Sequence, residues 1–132
     1  MIRKDTKVAV LGAGAMGCLF GGLMAEKGLD VVLIDVWKDH VDAINKNGLK
    51  MDGHGGDRFI KIKATTDPST LKTVDAIIIM CKATALKTAL TNSKNIIGDN
   101  TMLMSFQNGI GHEAIMQEIA GKDKVLGGTT TQ

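Results

Sequence analysis

Short apolar runs alternate along this chain with segments in which apolar residues recur at helical spacing. The runs at 7–11, 30–34 and 75–81 are long enough for buried strands and too short for helices. Between the first two runs, apolar residues recur every third or fourth position up to Gly28, which is typical of a helix ended by a glycine. This alternation of strands and helices predicts an α/β fold with a parallel sheet.

The alternation continues to the end of the chain. Residues 49–63 are polar and rich in glycine at their middle, which predicts an irregular excursion or a small hairpin leading into another strand. The other predicted elements are helices at 39–47, 83–97 and 112–119 and strands at 101–106 and 125–127. Six strands with crossover helices predict a doubly wound, mostly parallel sheet of the Rossmann type, in a single domain over residues 1–132.

Composition and charge exclude several classes of protein. The chain has 132 residues and a net charge of +2, and its lysines are scattered without interleaved aromatics, so we expect no nucleic-acid partner. No apolar stretch approaches the roughly 20 residues that cross a bilayer, and the first residues lack a signal-peptide pattern, so we expect a cytoplasmic protein without a membrane partner. Cys18 and Cys81 stand in apolar runs without metal-ligand spacing, which predicts buried, reduced thiols and no metal site.

A glycine-rich loop follows the first predicted strand and opens the first helix. Its sequence, with the pattern G-x-G-x-x-G, is Gly12-Ala13-Gly14-Ala15-Met16-Gly17. In this pattern the first glycine allows a tight turn, the second admits a pyrophosphate to the backbone, and the third lets the helix pack closely on the strand. The N–H groups of the first helical turn would point at the phosphates. The context favours dinucleotide binding by these six residues over a purely structural turn.

Asp35 follows the second predicted strand, about 20 residues beyond the loop, where an acid accepts hydrogen bonds from the hydroxyls of an adenosine ribose. Its carboxylate would also repel the 2′-phosphate of NADP. The alternative is a helix N-cap or a solvated strand end, roles that short acidic residues often fill. Lys38 lies one helical turn later and could reach a 2′-phosphate after a side-chain rearrangement. The residues therefore leave NAD and NADP open as cofactors.

Four signals follow one another in the order found in one enzyme family. They are the glycine-rich loop, the strand end Met80-Cys81-Lys82-Ala83, the turn Gln107-Asn108-Gly109 with Gly111 behind it, and the closing Gly127-Gly128-Thr129-Thr130-Thr131. In sequence and spacing the chain resembles the N-terminal half of the ketopantoate reductases (2-dehydropantoate 2-reductases) over nearly its whole length. The stretch 35–49 is also similar to many members of that family.

This resemblance implies an oxidoreductase that passes a hydride from NADPH to the ketone of 2-dehydropantoate, a 2-keto acid, and forms (R)-pantoate for pantothenate and coenzyme A biosynthesis. By motif match, Lys82 corresponds to the family's lysine at the cofactor and substrate cleft, and Asn108 to its asparagine beside the nicotinamide. Both follow a predicted central strand, where ligands bind in open α/β sheets. Taken alone, Lys82 would be interpreted as a surface lysine and Asn108 as part of an ordinary Asn-Gly turn.

Two departures from the family leave alternatives open. Asp35 stands where the family's preference for NADPH normally goes with a basic group, so NADH is also a candidate cofactor. The family's helical second domain, which supplies a general-acid lysine and most of the substrate pocket, has no counterpart in these residues, so we expect this fragment alone to be inactive. The alternatives are an NAD-dependent enzyme of another 2-keto or 2-hydroxy acid and a stand-alone nucleotide-binding module. An apolar face left uncovered predicts a homo-oligomer.

Overall fold

The computed structural model describes residues 6–51, 58–81, 83–105, 112–121 and 124–126, which form alternating strands and helices. The strands are β1 (Lys7–Leu11), β2 (Asp30–Ile34), β3 (Leu49–Met51), β4 (Arg58–Ile60), β5 (Lys63–Thr65), β6 (Val74–Ile79), β7 (Ile97–Ser105) and β8 (Val125–Leu126). The helices are α1 (Ala15–Glu26), α2 (Lys38–Asn47), α3 (Ala83–Asn92) and α4 (His112–Ala120), with short 3-10 turns at Pro68–Thr70 and Lys94–Ile96. None of the helices in these ranges is long and apolar enough to span a bilayer.

Six strands form one parallel sheet in the order β5-β2-β1-β6-β7-β8. Val10 of β1 lies opposite Leu33 of β2 on one side and Ile78 of β6 on the other. From β1 the chain builds outward to β2 and β5, and it then crosses to the other side of β1 for β6. The strand order therefore reverses beside β1, which is where ligands bind in open α/β sheets. The doubly wound, Rossmann-type fold predicted from the sequence is confirmed.

Both faces of the central strands are buried, which explains why these strands are continuous apolar runs in the sequence. Val8 and Val10 face a core closed by α1, α2 and strands β3 and β4. Ala9 and Leu11, which point the other way, face a second core closed by α3 and α4. The sheet is therefore a middle layer between two layers of helices.

In the described residues of the segment 49–63, two strands pair as in the hairpin that was one of its two predicted forms. Strand β3 pairs antiparallel with β4, and β5 then joins the main sheet beside β2. The predicted end of the third helix at 97 is wrong, because α3 ends at Asn92. The next residue, Ser93, is fully buried and donates its hydroxyl to the carbonyl of Ala89, after which the chain turns through the 3-10 segment Lys94–Ile96.

Strand β7 begins earlier than predicted, at Ile97 instead of 101. The pairing between β6 and β7 shifts register after Val74, so the first residues of β7 are irregular. The buried hydroxyl of Thr101 holds this irregularity, because it donates to the carbonyl of Val74 at 2.5 Å and accepts the N–H of Gly98 at 2.8 Å. The contact with Val74 joins two strands that are 27 residues apart in the sequence, so the apolar pattern of β7 alone did not reveal it.

A side chain from α2 covers the outer edge of the sheet at β5. Asn45 donates from Nδ2 to the carbonyl of Ala64 at 2.8 Å, and its Oδ1 accepts the N–H of Ala64 at 2.9 Å. These backbone groups are the ones that an additional strand would bind, and natural sheets protect such edges from pairing with other chains. Asn45 therefore takes the place of a further strand.

We expect Asn45→Ala to lower the free energy of unfolding by about 1–2 kcal/mol, because both backbone groups of Ala64 lose their partner. Asn47→Ala is the matched control, since Asn47 lies in the same helix and its side chain makes no hydrogen bond within the described ranges. Urea unfolding of the two variants measures the difference. If Asn45→Ala is as stable as Asn47→Ala, the edge contact does not stabilise the fold.

Candidate functional site

The glycine-rich loop joins the carboxyl end of β1 to the start of α1. Gly12 has a φ angle of +106°, in the left-handed region that favours glycine. A Cβ atom at this residue would lie 2.9 Å from the backbone nitrogen of Cys81, just beyond β6. The backbone angle and the neighbouring strand therefore both require glycine at this turn.

Gly14 and Gly17 have opposite surroundings. A Cβ atom on Gly17 would overlap the carbonyl oxygen of Gly12, so α1 approaches β1 as closely as the backbone allows. A Cβ atom on Gly14 would meet no atom within 4 Å. Gly14 is also the N-cap residue of α1, and as a glycine it has no side chain that could accept the first N–H groups of the helix. The open space and the uncapped N–H groups fit an anionic group such as a pyrophosphate.

Asp35 follows β2 and reaches back to the glycine-rich loop. Its Oδ2 accepts the N–H of Ala13 at 2.8 Å, and its Oδ1 accepts the N–H of Trp37 at 3.2 Å. A carboxylate offers about four lone-pair positions, so each oxygen can accept a further hydrogen bond. The two backbone contacts therefore fix the orientation of the half-buried carboxylate and leave it able to accept hydrogen bonds from hydroxyl groups.

A cleft of about 540 Å³ extends from the glycine-rich loop along α3. Leu11 and Ile34 line it at the ends of their strands, and Ala85 and Ala89 line it from α3. Asp35 stands in the same wall as the loop, and no Lys or Arg is among the described lining residues. The cleft therefore fits an apolar, flat group such as a nucleobase, with a carboxylate beside it.

Lys38 does not line this cleft. Its Nζ lies 2.6 Å from Oδ2 of Asp42, one turn further along α2, and it is largely exposed. The hydrogen bond and the charge of Asp42 raise the pKa of Lys38 above its usual value. The rearrangement toward a 2′-phosphate, which the sequence left open, is not the arrangement of this structure.

Cys18 and Cys81 are free thiols, but each is half-buried, so the prediction that they are buried is only partly right. Strand β6 ends at Ile79, before Cys81, which leaves this thiol in the wall of the cleft. Burial is the main cause that raises the pKa of both thiols, and the charge of Asp35 raises both pKa values further. Both thiols therefore remain protonated at neutral pH and are poor nucleophiles.

Two aromatic side chains at the site were not predicted from the sequence. The rings of Trp37 and His40 are stacked with centroids 5.5 Å apart, and Nε2 of His40 lies 2.9 Å from the carbonyl oxygen of Ala13. The only signal in the sequence was their position, because α2 begins directly after Asp35 and its first turn lies beside the loop. Among the residues described, no group of three or more His, Cys, Asp or Glu could hold a metal ion.

Comparison with known proteins gives close relatives. The family sequence model described as "Ketopantoate reductase PanE/ApbA" matches residues 8–132. The chain is 43% identical over 125 residues to a 2-dehydropantoate 2-reductase of Pyrococcus horikoshii, covering 95% of this chain and 40% of that protein. It is 35% identical over 123 residues to the enzyme of the same name from Streptococcus pyogenes, covering 93% and 40%. A solved D-mandelate dehydrogenase with NADH and anilino(oxo)acetate is 33% identical, with a TM-score of 0.85, over 91% of this chain and 39% of that one.

The family match spans nearly all of the chain. The chain belongs to the ketopantoate reductase family. The resemblance seen in the sequence is thereby confirmed. The chain spans about 40% of the length of the curated relatives it matches, and it corresponds to the N-terminal, dinucleotide-binding domain of ketopantoate reductases.

The structure brings together only some of the site residues predicted for this ketopantoate reductase domain. The residues that meet at the carboxyl edge of the sheet are Gly12, Ala13, Gly14, Gly17 and Asp35. The backbones of Ala15 and Met16 form the first turn of α1. Lys82 and Asn108 lie outside the described residues, so their place in the site stays a prediction.

We expect Gly17→Ala to lower the free energy of unfolding by about 1–3 kcal/mol, because the added methyl group must displace α1 from the backbone of Gly12. Gly14→Ala is the matched control, since its methyl group meets no atom and its φ of −74° suits alanine. Thermal or urea unfolding measures the contrast. Equal stability of the two variants would contradict the close approach of α1 to β1.

Proposed function

We propose that this chain is the cofactor-binding part of an NAD(P)H-dependent 2-keto acid reductase of the 2-dehydropantoate 2-reductase type. The reaction is the reduction of 2-dehydropantoate to (R)-pantoate, a step toward pantothenate and coenzyme A. The observation that carries the proposal is the open space at Gly14, at the uncapped start of α1 and beside Asp35. The names of the curated relatives, 2-dehydropantoate 2-reductases at 35% and 43% identity, support the reaction.

The glycine-rich loop holds the pyrophosphate of the dinucleotide. The backbone at Gly12, Ala13 and Gly14 allows its close approach, and the N–H groups of Ala15, Met16 and Gly17 donate to its oxygens. Asp35 accepts hydrogen bonds from the ribose hydroxyls, and the cleft along α3 holds the adenine. A bound reduced nicotinamide supplies the hydride for the ketone of the substrate.

Lys82 and Asn108 are the catalytic residues of this proposal. The charge of Lys82 suits the carboxylate of a 2-keto acid or a phosphate of the cofactor. The amide of Asn108 can orient a carbonyl or hydroxyl group without changing its own charge. Both assignments are supported by the match of their motifs to those of the family.

NADH is the cofactor that the described residues favour. The N–H groups of Ala13 and Trp37 could bind a 2′-phosphate, but both already donate to Asp35. A 2′-phosphate would approach this carboxylate in a cleft without a described Lys or Arg, and the cation of Lys38 is paired with Asp42. Like charges in such proximity repel each other, so we propose that NADH binds more tightly than NADPH.

A second substrate class is favoured by one comparison. The solved D-mandelate dehydrogenase with NADH and anilino(oxo)acetate resembles this chain with a TM-score of 0.85, and its name gives a different 2-hydroxy acid as its substrate. The described residues form the cofactor side of the site and do not discriminate between substrates. An aromatic 2-keto acid, the product of mandelate oxidation, is therefore the alternative substrate.

The homo-oligomer and the cytoplasmic location also stay predictions. Leu19 and Leu23 lie one turn apart on the outer face of α1 and are 41% and 42% exposed. An exposed apolar surface of this kind supports self-association.

Calorimetric titration of this chain with NADH and with NADPH tests the cofactor. We expect NADH to bind at least about tenfold more tightly, a difference of roughly 1.4 kcal/mol, because of repulsion between Asp35 and the 2′-phosphate. In Asp35→Asn, NADH should bind more weakly and NADPH more tightly, so that the ratio falls toward one. Asp39→Asn is the matched control. It also removes one negative charge, but from the first turn of α2, where Asp39 does not line the cleft.

Three results would contradict parts of this account. Absence of binding by either dinucleotide at millimolar concentration would remove the cofactor role of the loop. Tighter binding of NADPH would keep that role but show that Asp35 does not select the cofactor. If Asp39→Asn changed the ratio of NADH to NADPH affinity as much as Asp35→Asn does, the overall charge of the chain would explain the effect.

Assays of the complete gene product distinguish the two substrate classes. We expect oxidation of NADH with 2-dehydropantoate to have a kcat/KM at least about tenfold above that with phenylglyoxylate, because the curated relatives are named for the former. A higher kcat/KM with phenylglyoxylate would favour the second class.

A further inference from the structure

The contacts around Asp35 form a closed ring of four residues, Ala13, Asp35, Trp37 and His40. Asp35 accepts the N–H groups of Ala13 and Trp37. The indole of Trp37 stacks on the imidazole of His40 with an interplanar angle of 27°. His40 closes the ring through its Nε2, which lies 2.9 Å from the carbonyl oxygen of Ala13. Each member is therefore held by two others.

His40 donates the hydrogen bond to Ala13. A carbonyl oxygen can only accept a hydrogen bond, so Nε2 of the imidazole carries the proton in this contact. The thiol of Cys18 also points at this oxygen, with its sulfur 3.1 Å away, but an S–H group is a weak donor. His40 therefore supplies the stronger of the two contacts to the carbonyl oxygen of Ala13.

The orientation of the peptide groups on either side of Ala13 depends on these hydrogen bonds. Ala13 is flanked by Gly12 and Gly14, and glycine offers little resistance to backbone rotation. The N–H of Ala13 donates to Asp35, and its carbonyl accepts from His40. If the carbonyl is released, the loop can rotate at the glycines, and the N–H then no longer fixes the carboxylate of Asp35.

We propose that His40 is a positioning residue for the dinucleotide. Through Ala13 it holds the carboxylate of Asp35 in the orientation that accepts the ribose hydroxyls and opposes a 2′-phosphate. His40 does not line the 540 Å³ cleft; together with Trp37 it lines an adjoining space of about 330 Å³ that also borders Gly14 and Asp35. This role rests on the proposed function of Asp35, but the hold on Ala13 exists in the free chain as well.

Three variants of this chain test the role of His40. His40→Ala removes the donor, His40→Gln keeps an N–H close to the position of Nε2, and Cys18→Ala removes the weak donor as a control. NADH and NADPH are titrated into each variant by calorimetry. In parallel, amide hydrogen exchange is measured by NMR at Ala13 and, as a reference for global stability, at Val10 in β1.

In His40→Ala we expect NADH to bind about fivefold to tenfold more weakly, NADPH to change less, and the amide of Ala13 to exchange faster relative to Val10. His40→Gln should recover most of the affinity and the protection of Ala13. Cys18→Ala should stay within about twofold of the original chain for both dinucleotides.

Two outcomes would overturn the inference. One is an unchanged ratio of NADH to NADPH affinity and an unchanged Ala13 exchange rate in His40→Ala. The other is a His40→Gln variant as impaired as His40→Ala, because the hydrogen bond would then not be the cause. If the original chain binds neither dinucleotide, the proposed function fails, whereas the exchange of Ala13 in the free chain still decides whether His40 holds the loop.

Discussion

Helix α1 begins against the end of strand β1 with no room for a side chain between them. A Cβ atom on Gly17 would overlap the carbonyl oxygen of Gly12, and one on Gly12 would meet the backbone just after β6. These two contacts fix where α1 starts, so its uncapped N–H groups lie at the edge of the sheet where β1, β2 and β6 end. The contact between Ala13 and Asp35 depends on the same placement, because Ala13 lies inside the turn that the glycines form.

Asp35 belongs both to the fold and to the candidate site. Its carboxylate satisfies two backbone N–H groups, those of Ala13 and Trp37. We propose that this carboxylate, and not the glycine-rich loop, selects NADH over NADPH. Burial, and to a smaller extent the charge of Asp35, raise the pKa of Cys18 and Cys81, so both thiols stay protonated at neutral pH.

Local patterns in the sequence predicted those strands and turns whose conformation is determined by residues close to one another in the chain. The strands around the glycine-rich loop and the tight turn at Gly12 follow from short apolar runs and from glycine chemistry, and both are present in the structure. Contacts between distant segments were not predictable in this way. The pairing of Asn45 with Ala64, the hydroxyl of Thr101 on the carbonyl of Val74, and the contact of His40 with Ala13 each depend on packing between elements. The roles of Lys82 and Asn108 stay predictions from the family motifs.

We propose that the glycine-rich loop and Asp35 together form a site for NADH. A crystal structure of this chain grown with NADH tests it most directly. We expect the pyrophosphate at the N–H groups that begin α1, beside Gly14, and the adenosine ribose hydroxyls within hydrogen-bond distance of Asp35. A dinucleotide bound elsewhere, or one whose ribose hydroxyls do not contact Asp35, would contradict the claim.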